Sequence, residues 1–174
     1  MSLLIETSRL KLLPFTKKIC EETLINSVEA LKSINIIPCE GWPDLETLNT
    51  LPRILVNLNK AEQPSGFESW MIIEKNSNYL IGDIGFKGIP NDNGEIDLGY
   101  GIIANKRRSG FAIEAASCLL AWAFAQLKVK VVTANCHSDN LGSKRILSLL
   151  NFRLIKQDND MIYWKQANSH FITQ

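Results

Sequence analysis

Near Ala104 the spacing of apolar residues in this 174-residue chain changes from one period to another, and the change limits what the chain can fold into. From Glu68 to Ile103 the apolar residues fall in short runs, Trp70 to Glu74, Tyr79 to Phe86 and Glu95 to Ile103. Lys75-Asn76-Ser77-Asn78 and Pro90-Asn91-Asp92-Asn93-Gly94 separate them. Short runs bounded by turn residues read as an antiparallel meander, and Asn-Gly is a strong hairpin signal. After Ala104 a basic turn containing glycine leads into Gly110 to Leu127. That segment is apolar almost all round, the pattern of a helix buried against a sheet. Val129 to Cys136 is strand-like again. A right-handed crossover would therefore set this strand parallel to the Glu95 strand.

The rest of the chain supplies the elements around this unit. Ile5 to Leu13 reads as a first strand closed by Pro14, and Thr16 offers an N-cap to a helix carrying Ile19, Thr23, Ile25 and Val28 to Leu31. Leu51, Ile54, Leu55 and Leu58 form one apolar face of a second helix, with Pro52 at its start or at a kink and Gln63-Pro64-Ser65-Gly66 at its end. Asp139 or Asn140 caps a shorter helix that turns Ile146, Leu149 and Leu150 inward, and Asn151 takes the left-handed position after it. Phe152 to Lys156 and Met161 to Lys165 form a closing hairpin around Gln157-Asp158-Asn159-Asp160. The expected fold is α+β with three layers, α/β/α. Its central sheet is mixed and mostly antiparallel, with about seven strands, one parallel pair and about four helices. Residues 1–174 are expected to form one domain, with 167–174 a frayed tail.

Composition narrows the partners. A formal net charge of +1 gives none of the broad attraction to phosphate backbones or anionic lipid that a strongly basic protein has, so neither nucleic acid nor membrane is expected as a partner. No stretch reaches the length of apolar residues that a membrane-spanning helix needs. Cysteines 20, 39, 118 and 136 have no CxxC spacing and no signal peptide ahead of them, which points to the cytoplasm. Cys118 reads as a small core residue. Cys136 beside His137 lacks a second ligand pair at metal spacing, and no metal is expected.

The chemistry concentrates in Gly99-Tyr100-Gly101-Ile102-Ile103-Ala104-Asn105-Lys106-Arg107-Arg108-Ser109-Gly110-Phe111-Ala112-Ile113-Glu114-Ala115. A strand that enters a helix through a short turn converges several unpaired N–H groups where the helix dipole is positive. An anion fits there. Gly110 and Ala112 let a phosphate approach the backbone, and Lys106, Arg107 and Arg108 add positive charge. Read without further context, the same residues also suit a solvated basic loop entering a core helix.

Arg107-Arg108-Ser109-Gly110-Phe111-Ala112 resembles the (Gln/Arg)-x-x-Gly-x-(Gly/Ala) signature of the GNAT superfamily of N-acetyltransferases, which cradles the pyrophosphate of coenzyme A. Glu114-Ala115 and Gly99-Tyr100 are similar to the RimJ and RimL ribosomal-protein acetyltransferase type. So is Asn140-Leu141-Gly142-Ser143 through Leu150-Asn151-Phe152, with Asn151 in place of the usual glycine. Glu6-Thr7-Ser8-Arg9-Leu10-Lys11-Leu12 resembles that type's opening strand and Leu80-Ile81-Gly82-Asp83-Ile84-Gly85-Phe86 its third. The resemblance implies the acyl-CoA N-acyltransferase fold and an acetyl-CoA-dependent N-acetyltransferase, a transferase acting on a primary amine, either a protein N-terminus or a small amine. Acetyl-CoA would serve as cosubstrate, and a homodimer is the one self-association considered. Coenzyme A would be held by Ile102, Ile103 and Ala104 through their main chain, by Arg107, Arg108, Ser109, Gly110, Phe111, Ala112 and Ile113 at the turn, and by Asn140 and Ser143.

The chain also departs from the family's pattern. Leu13 stands where the type often has arginine, and position 147 is leucine where many relatives place a tyrosine acid. The resemblance then turns the hydroxyl of Ser143 toward the coenzyme A sulfur, a residue that could equally cap or pack the helix. A base for the amine is sought in Asp97 or Glu95, which share one strand face with Gly99 and Gly101. Both also suit a solvated hairpin end, and Asp97 sits deeper in the strand. Glu40 and Asp44 near Trp42 would attract an ammonium ion, with Trp42 as lid or packing residue. The competing reading is a module that keeps the coenzyme A cradle, senses the cofactor and has lost turnover.

Overall fold

The structure, a computed structural model, describes residues 3–60 and 64–169. Among these residues nine strands and four helices follow the expected order. Strands β1 (Ile5–Glu6), β2 (Leu10–Pro14), β4 (Ser69–Glu74), β5 (Tyr79–Phe86), β6 (Glu95–Ile102), β7 (Val131–His137), β9 (Met161–Ala167) and β8 (Arg153–Asp158) lie side by side in that order, and the short β3 (Ile37–Pro38) pairs with β5. Only β3 with β5 and β6 with β7 are parallel; every other pairing is antiparallel. The sheet has more strands than expected because the opening segment bends at Thr7-Ser8 into β1 and β2 and because Ile37–Pro38 adds a two-residue pair.

Local signals explain the four helices. Thr16 caps α1 (Lys17–Lys32), its side chain accepting from the Ile19 amide. Asn26 breaks α1 with a non-helical backbone, and its carboxamide oxygen accepts from the amides of Val28 and Glu29, so the second half restarts on an internal cap. Asp44 caps α2 (Leu45–Leu58), which therefore begins before Pro52 and contains it. Helix α3 (Phe111–Phe124) buries Phe111, Ala115, Ala116, Leu119, Leu120 and Ala123, as its apolar composition requires. Asn140 caps α4 (Leu141–Leu149), and Asn151 follows at φ 62°.

Core packing settles several single-residue expectations. Trp42 is buried, which makes it a packing residue rather than a lid, while Cys118 is half-buried. Of α4, Leu147 and Leu150 turn inward and Leu149 faces outward. The expected tail does not begin at 167. Ala167 ends β9, and Asn168 is only 2% exposed, its Nδ2 donating to the carbonyls of Phe124 at 2.9 Å and Val129 at 3.0 Å. Residues 170–174 lie outside the described residues.

Asn168 thus ties the end of β9 to the α3–β7 connection. Asn168→Ala leaves two buried carbonyls without this donor and should lower unfolding stability by about 1–3 kcal/mol. A urea denaturation midpoint equal to that of the parent protein would contradict the tie.

Candidate active site

The parallel pair β6 and β7 runs in register from Glu95 and Val131 to Leu98 and Ala134, and there it stops. Beyond this point β6 continues through Ile102 and β7 through His137, each paired only on its outer side, β6 with β5 and β7 with β9. The two strands part. Backbone alternation fixes which main-chain groups face the gap. The Ile103 amide donates to Ile81 of β5 and the Asp97 carbonyl accepts from Lys87, so odd-numbered positions of β6 bond outward. Even-numbered positions face β7, as the hydrogen bond from the Thr133 hydroxyl to the Ile96 carbonyl shows. Tyr100 and Ile102 therefore present their amides beyond the last paired residues.

This corrects one sequence expectation. Ile103 does not offer a free main chain: its amide is committed to Ile81 and its carbonyl to Lys106. Ile102 keeps its place, with Arg107 Nε donating to its carbonyl at 2.7 Å, and Tyr100 joins it. Ala104 opens a 3-10 turn over Ala104–Lys106.

A cavity of about 790 Å³ occupies the gap, a size typical of ligand clefts. The two faces of β6 give it two chemically different walls. On one face the Tyr100 hydroxyl donates to the Ser143 carbonyl at 3.5 Å, so this wall belongs to α4. Asn140 Oδ1 accepts from the Ser143 amide at 3.0 Å and holds the half-buried serine over the cavity. Burial pushes the Tyr100 phenol up to about 12, with the nearby Cys136 adding to the rise and the contact with Ser143 opposing it, so Tyr100 remains protonated.

The opposite face carries Gly99 and Gly101, which leave the strand without side chains toward the α2 side. A Cβ on Gly99 would meet nothing within 4 Å, and one on Gly101 would meet only Asp83 Oδ1, at 3.9 Å. Asp83 lies opposite Gly101 in the β5–β6 register and lines the same wall with Asp44 and Glu46. Burial, reinforced by the charges of Glu46 and Asp44, pushes its carboxyl up to about 7. The buried Cys20 thiol of α1 is pushed up to about 12, chiefly by burial and further by Glu21 and Asp83. It stays protonated.

The two expected bases lie elsewhere. Asp97 is held by Lys87 in an ion pair and accepts from Thr133 Oγ1 at 3.3 Å and Asn135 Nδ2 at 3.4 Å, in a smaller hollow toward Tyr163. Glu95 is exposed and accepts from Asn91 Nδ2 at the hairpin end. Asp83 carries a sequence signal of its own, a lone carboxylate inside the apolar run Leu80 to Phe86 of a central strand.

The turn before α3 brings unpaired helix amides together with basic side chains. Arg108 at φ 62° and Gly110 at φ 79° are left-handed, and Gly110 caps the helix. The first regular helical bond runs from the Glu114 amide to the Gly110 carbonyl, so the amides of Phe111, Ala112 and Ile113 have no partner of that kind. Arg107, Arg108 and Ser109 are exposed beside them. Lys106 is not directed at this turn. It forms an ion pair with Glu74 at 2.7 Å, whose hydrogen bond raises the lysine and, together with Ser77, lowers the carboxylate. Among the described residues no three His, Cys, Asp or Glu side chains gather as a metal site, and no helix is long and apolar enough to cross a membrane.

Residues 9–153 match the family model of the acetyltransferase (GNAT) domain. The chain belongs to the GNAT family of N-acetyltransferases. It is 32% identical over 161 residues to the uncharacterized N-acetyltransferase YjdG of Bacillus subtilis (strain 168), covering 92% of this chain and 96% of that protein. Among solved structures the fold is shared by the self-immunity acetyltransferase MccE in complex with acetyl-CoA and AMP (TM-score 0.62, 18% identity, 92% of this chain and 93% of that one). It is shared too by the ribosomal-protein acetyltransferase RimL in complex with coenzyme A (TM-score 0.66, 15% identity, 95% and 98%).

The Asp83 environment sets a sign for the stability of this acetyltransferase. Folded Asp83 holds its proton up to about pH 7, whereas an ordinary aspartate releases it near 3.8, so the folded state binds more protons between these values and stability falls as pH rises through that window. Asp83→Asn should therefore raise the melting temperature more at pH 8 than at pH 4. An equal shift at both values would contradict the raised carboxyl of Asp83.

Proposed function

We propose that this GNAT enzyme transfers the acetyl group of acetyl-CoA to a primary amine, a protein N-terminus or a small amine, by direct attack on the thioester in the gap between β6 and β7. The observation that carries this reading is the division of β6 into two faces, with a carboxyl of raised pKa on one and a positioned hydroxyl on the other. The coenzyme A phosphates fit the amides at Phe111, Ala112 and Ile113, with Arg107, Arg108 and Ser109 around them. The pantetheine arm and thioester fit the unpaired amides of Tyr100 and Ile102, with Ala104 at the outer end. This main-chain hold, together with the Asn140-Ser143 cap, follows the RimJ and RimL type.

The amine approaches across Gly99 and Gly101. Asp83 takes a proton from the ammonium group, which frees the nitrogen lone pair to attack the carbonyl carbon. The carbon–sulfur bond then breaks, the nitrogen gives up its second proton, and the Ser143 hydroxyl relays a proton to the departing thiolate as it receives that one, leaving the amide and the coenzyme A thiol while Asp83 returns its own proton to solvent. Asp83 takes the role first sought in Asp97 and Glu95, because Asp97 is engaged by a lysine and Glu95 faces solvent. Asp44 and Glu46 add negative potential that attracts a cationic acceptor.

Calorimetry with acetyl-CoA, followed by thiol release over a panel of amines and peptides, tests the reading. Binding with thiol release on at least one amine is expected. Binding with no release on any acceptor would favour a sensing module, and no binding would overturn both. Asp83→Asn should reduce kcat/KM by on the order of a hundredfold and remove the rise in rate through about pH 7. Ser143→Ala should lower kcat with little change in acetyl-CoA affinity. If Asp83→Asn kept the pH–rate limb and Asp97→Asn abolished it, the base would be Asp97.

A further inference from the structure

The bend between β1 and β2 places Arg9 against the turn that opens α3. One guanidinium holds three parts of that turn. Nη1 donates to the Ser109 carbonyl at 2.9 Å, Nε and Nη2 each lie 2.6 Å from Glu114 Oε2, and the guanidinium carbon sits 4.6 Å from the centre of the Phe111 ring. Glu114 also accepts from the Arg9 amide at 3.0 Å, from Ser8 Oγ at 3.2 Å and from Thr7 Oγ1. Burial alone would raise the Glu114 carboxyl, but the hydrogen bonds from Thr7 and Arg9 and the arginine's charge hold it below the ordinary range. It is therefore a carboxylate, 17% exposed, in the first turn of the helix that would face the phosphates.

Electrostatics makes that location unexpected. A carboxylate beside an anion site repels the anion, so Glu114 weakens phosphate binding unless it contributes something else. Peptide geometry supplies the contribution. In a trans peptide the C=O and the following N–H point in opposite directions, so drawing the Ser109 carbonyl toward Arg9 turns the Gly110 amide the other way, away from the clamp. Glu114 fixes Arg9 in the orientation that does this. Gly110 leaves room for the contact, since a Cβ there would stand 3.3 Å from Arg9 Nη2 and would also strain the backbone at φ 79°.

We propose that Arg9 and Glu114 are a positioning pair for the phosphate-binding turn, so that the residue just before β2 and one in the first turn of α3 together set affinity for the nucleotide half of acetyl-CoA. The proposal rests on the reading that this turn receives the coenzyme A phosphates. Neither side chain touches the reacting atoms. Their removal acts on affinity for coenzyme A and leaves alone the chemistry performed on the pantetheine arm.

Calorimetry with coenzyme A on Arg9→Gln, Arg9→Lys and Glu114→Gln tests the pair, with acetyl-pantetheine, which lacks the phosphates, as a second acyl donor. Each single variant should weaken coenzyme A by about tenfold, and the double variant Arg9→Gln with Glu114→Gln should be little worse than either, because the two act as one unit. Turnover of acetyl-pantetheine should match the parent, a result that general loss of structure would not give. Recovery of affinity in Arg9→Lys would assign Arg9 a direct charge contact with phosphate and overturn the pair. Tighter binding in Glu114→Gln would show simple repulsion and overturn it as well, as would an equal fall in acetyl-pantetheine turnover. If the parent protein bound no coenzyme A, the phosphate reading would fail and the pair with it; loss of the pair alone, with the parent binding, leaves that reading standing.

Discussion

The interruption of the parallel ladder after Leu98 and Ala134 determines most of what this acetyltransferase can do. Two neighbouring strands that stay in register satisfy each other's backbone and leave nothing for a ligand. Here β6 and β7 are held on their outer sides by β5 and β9, and the inner edges separate. Amides and carbonyls that would have closed the sheet become recognition groups, without any loss of the ladders that keep the strands in place.

The gap also explains the distribution of side chains. Gly99 and Gly101 keep the α2 wall of the gap bare, whereas Gly82, on the opposite face of β5, has a different purpose: a Cβ there would stand 2.1 Å from the Gly101 carbonyl, so the close approach of the strands excludes one. Two glycines serve access and one serves packing. The chemical groups follow the same division, with Asp83, Asp44 and Glu46 toward α2, and Tyr100 and Ser143 toward α4. A near-neutral chain thereby carries acidic groups on the α2 wall of the gap and basic residues at the turn before α3, the division on which the proposed function rests.

What could be read in the sequence was local. The period change near Ala104, the Asn140 cap and the left-handed Asn151 depend on neighbours a few residues away, and the strand, helix, strand unit follows from chain handedness. What could not be read depends on distant partners. Asp83 owes its raised carboxyl first to burial and then to the charges of Glu46 and Asp44, about forty residues earlier in the chain. Arg9 and Glu114 meet across 105 positions. Asp97 looked like a base from its place on the strand face, and only Lys87, Thr133 and Asn135 around it show how it is occupied. Ile103 neighbours Ile102 in the strand, yet a step of one residue reverses the direction of the main-chain groups and turns its amide to Ile81.

Amide hydrogen exchange, resolved by residue and compared with and without acetyl-CoA, tests the central claim about the parted strands most directly. The account predicts that the amides of Tyr100 and Ile102 exchange readily in the free protein and become protected when acetyl-CoA binds, while those of Leu98 and Ile103, already bonded to β7 and β5, change little. Binding of acetyl-CoA without protection at Tyr100 and Ile102 would contradict it.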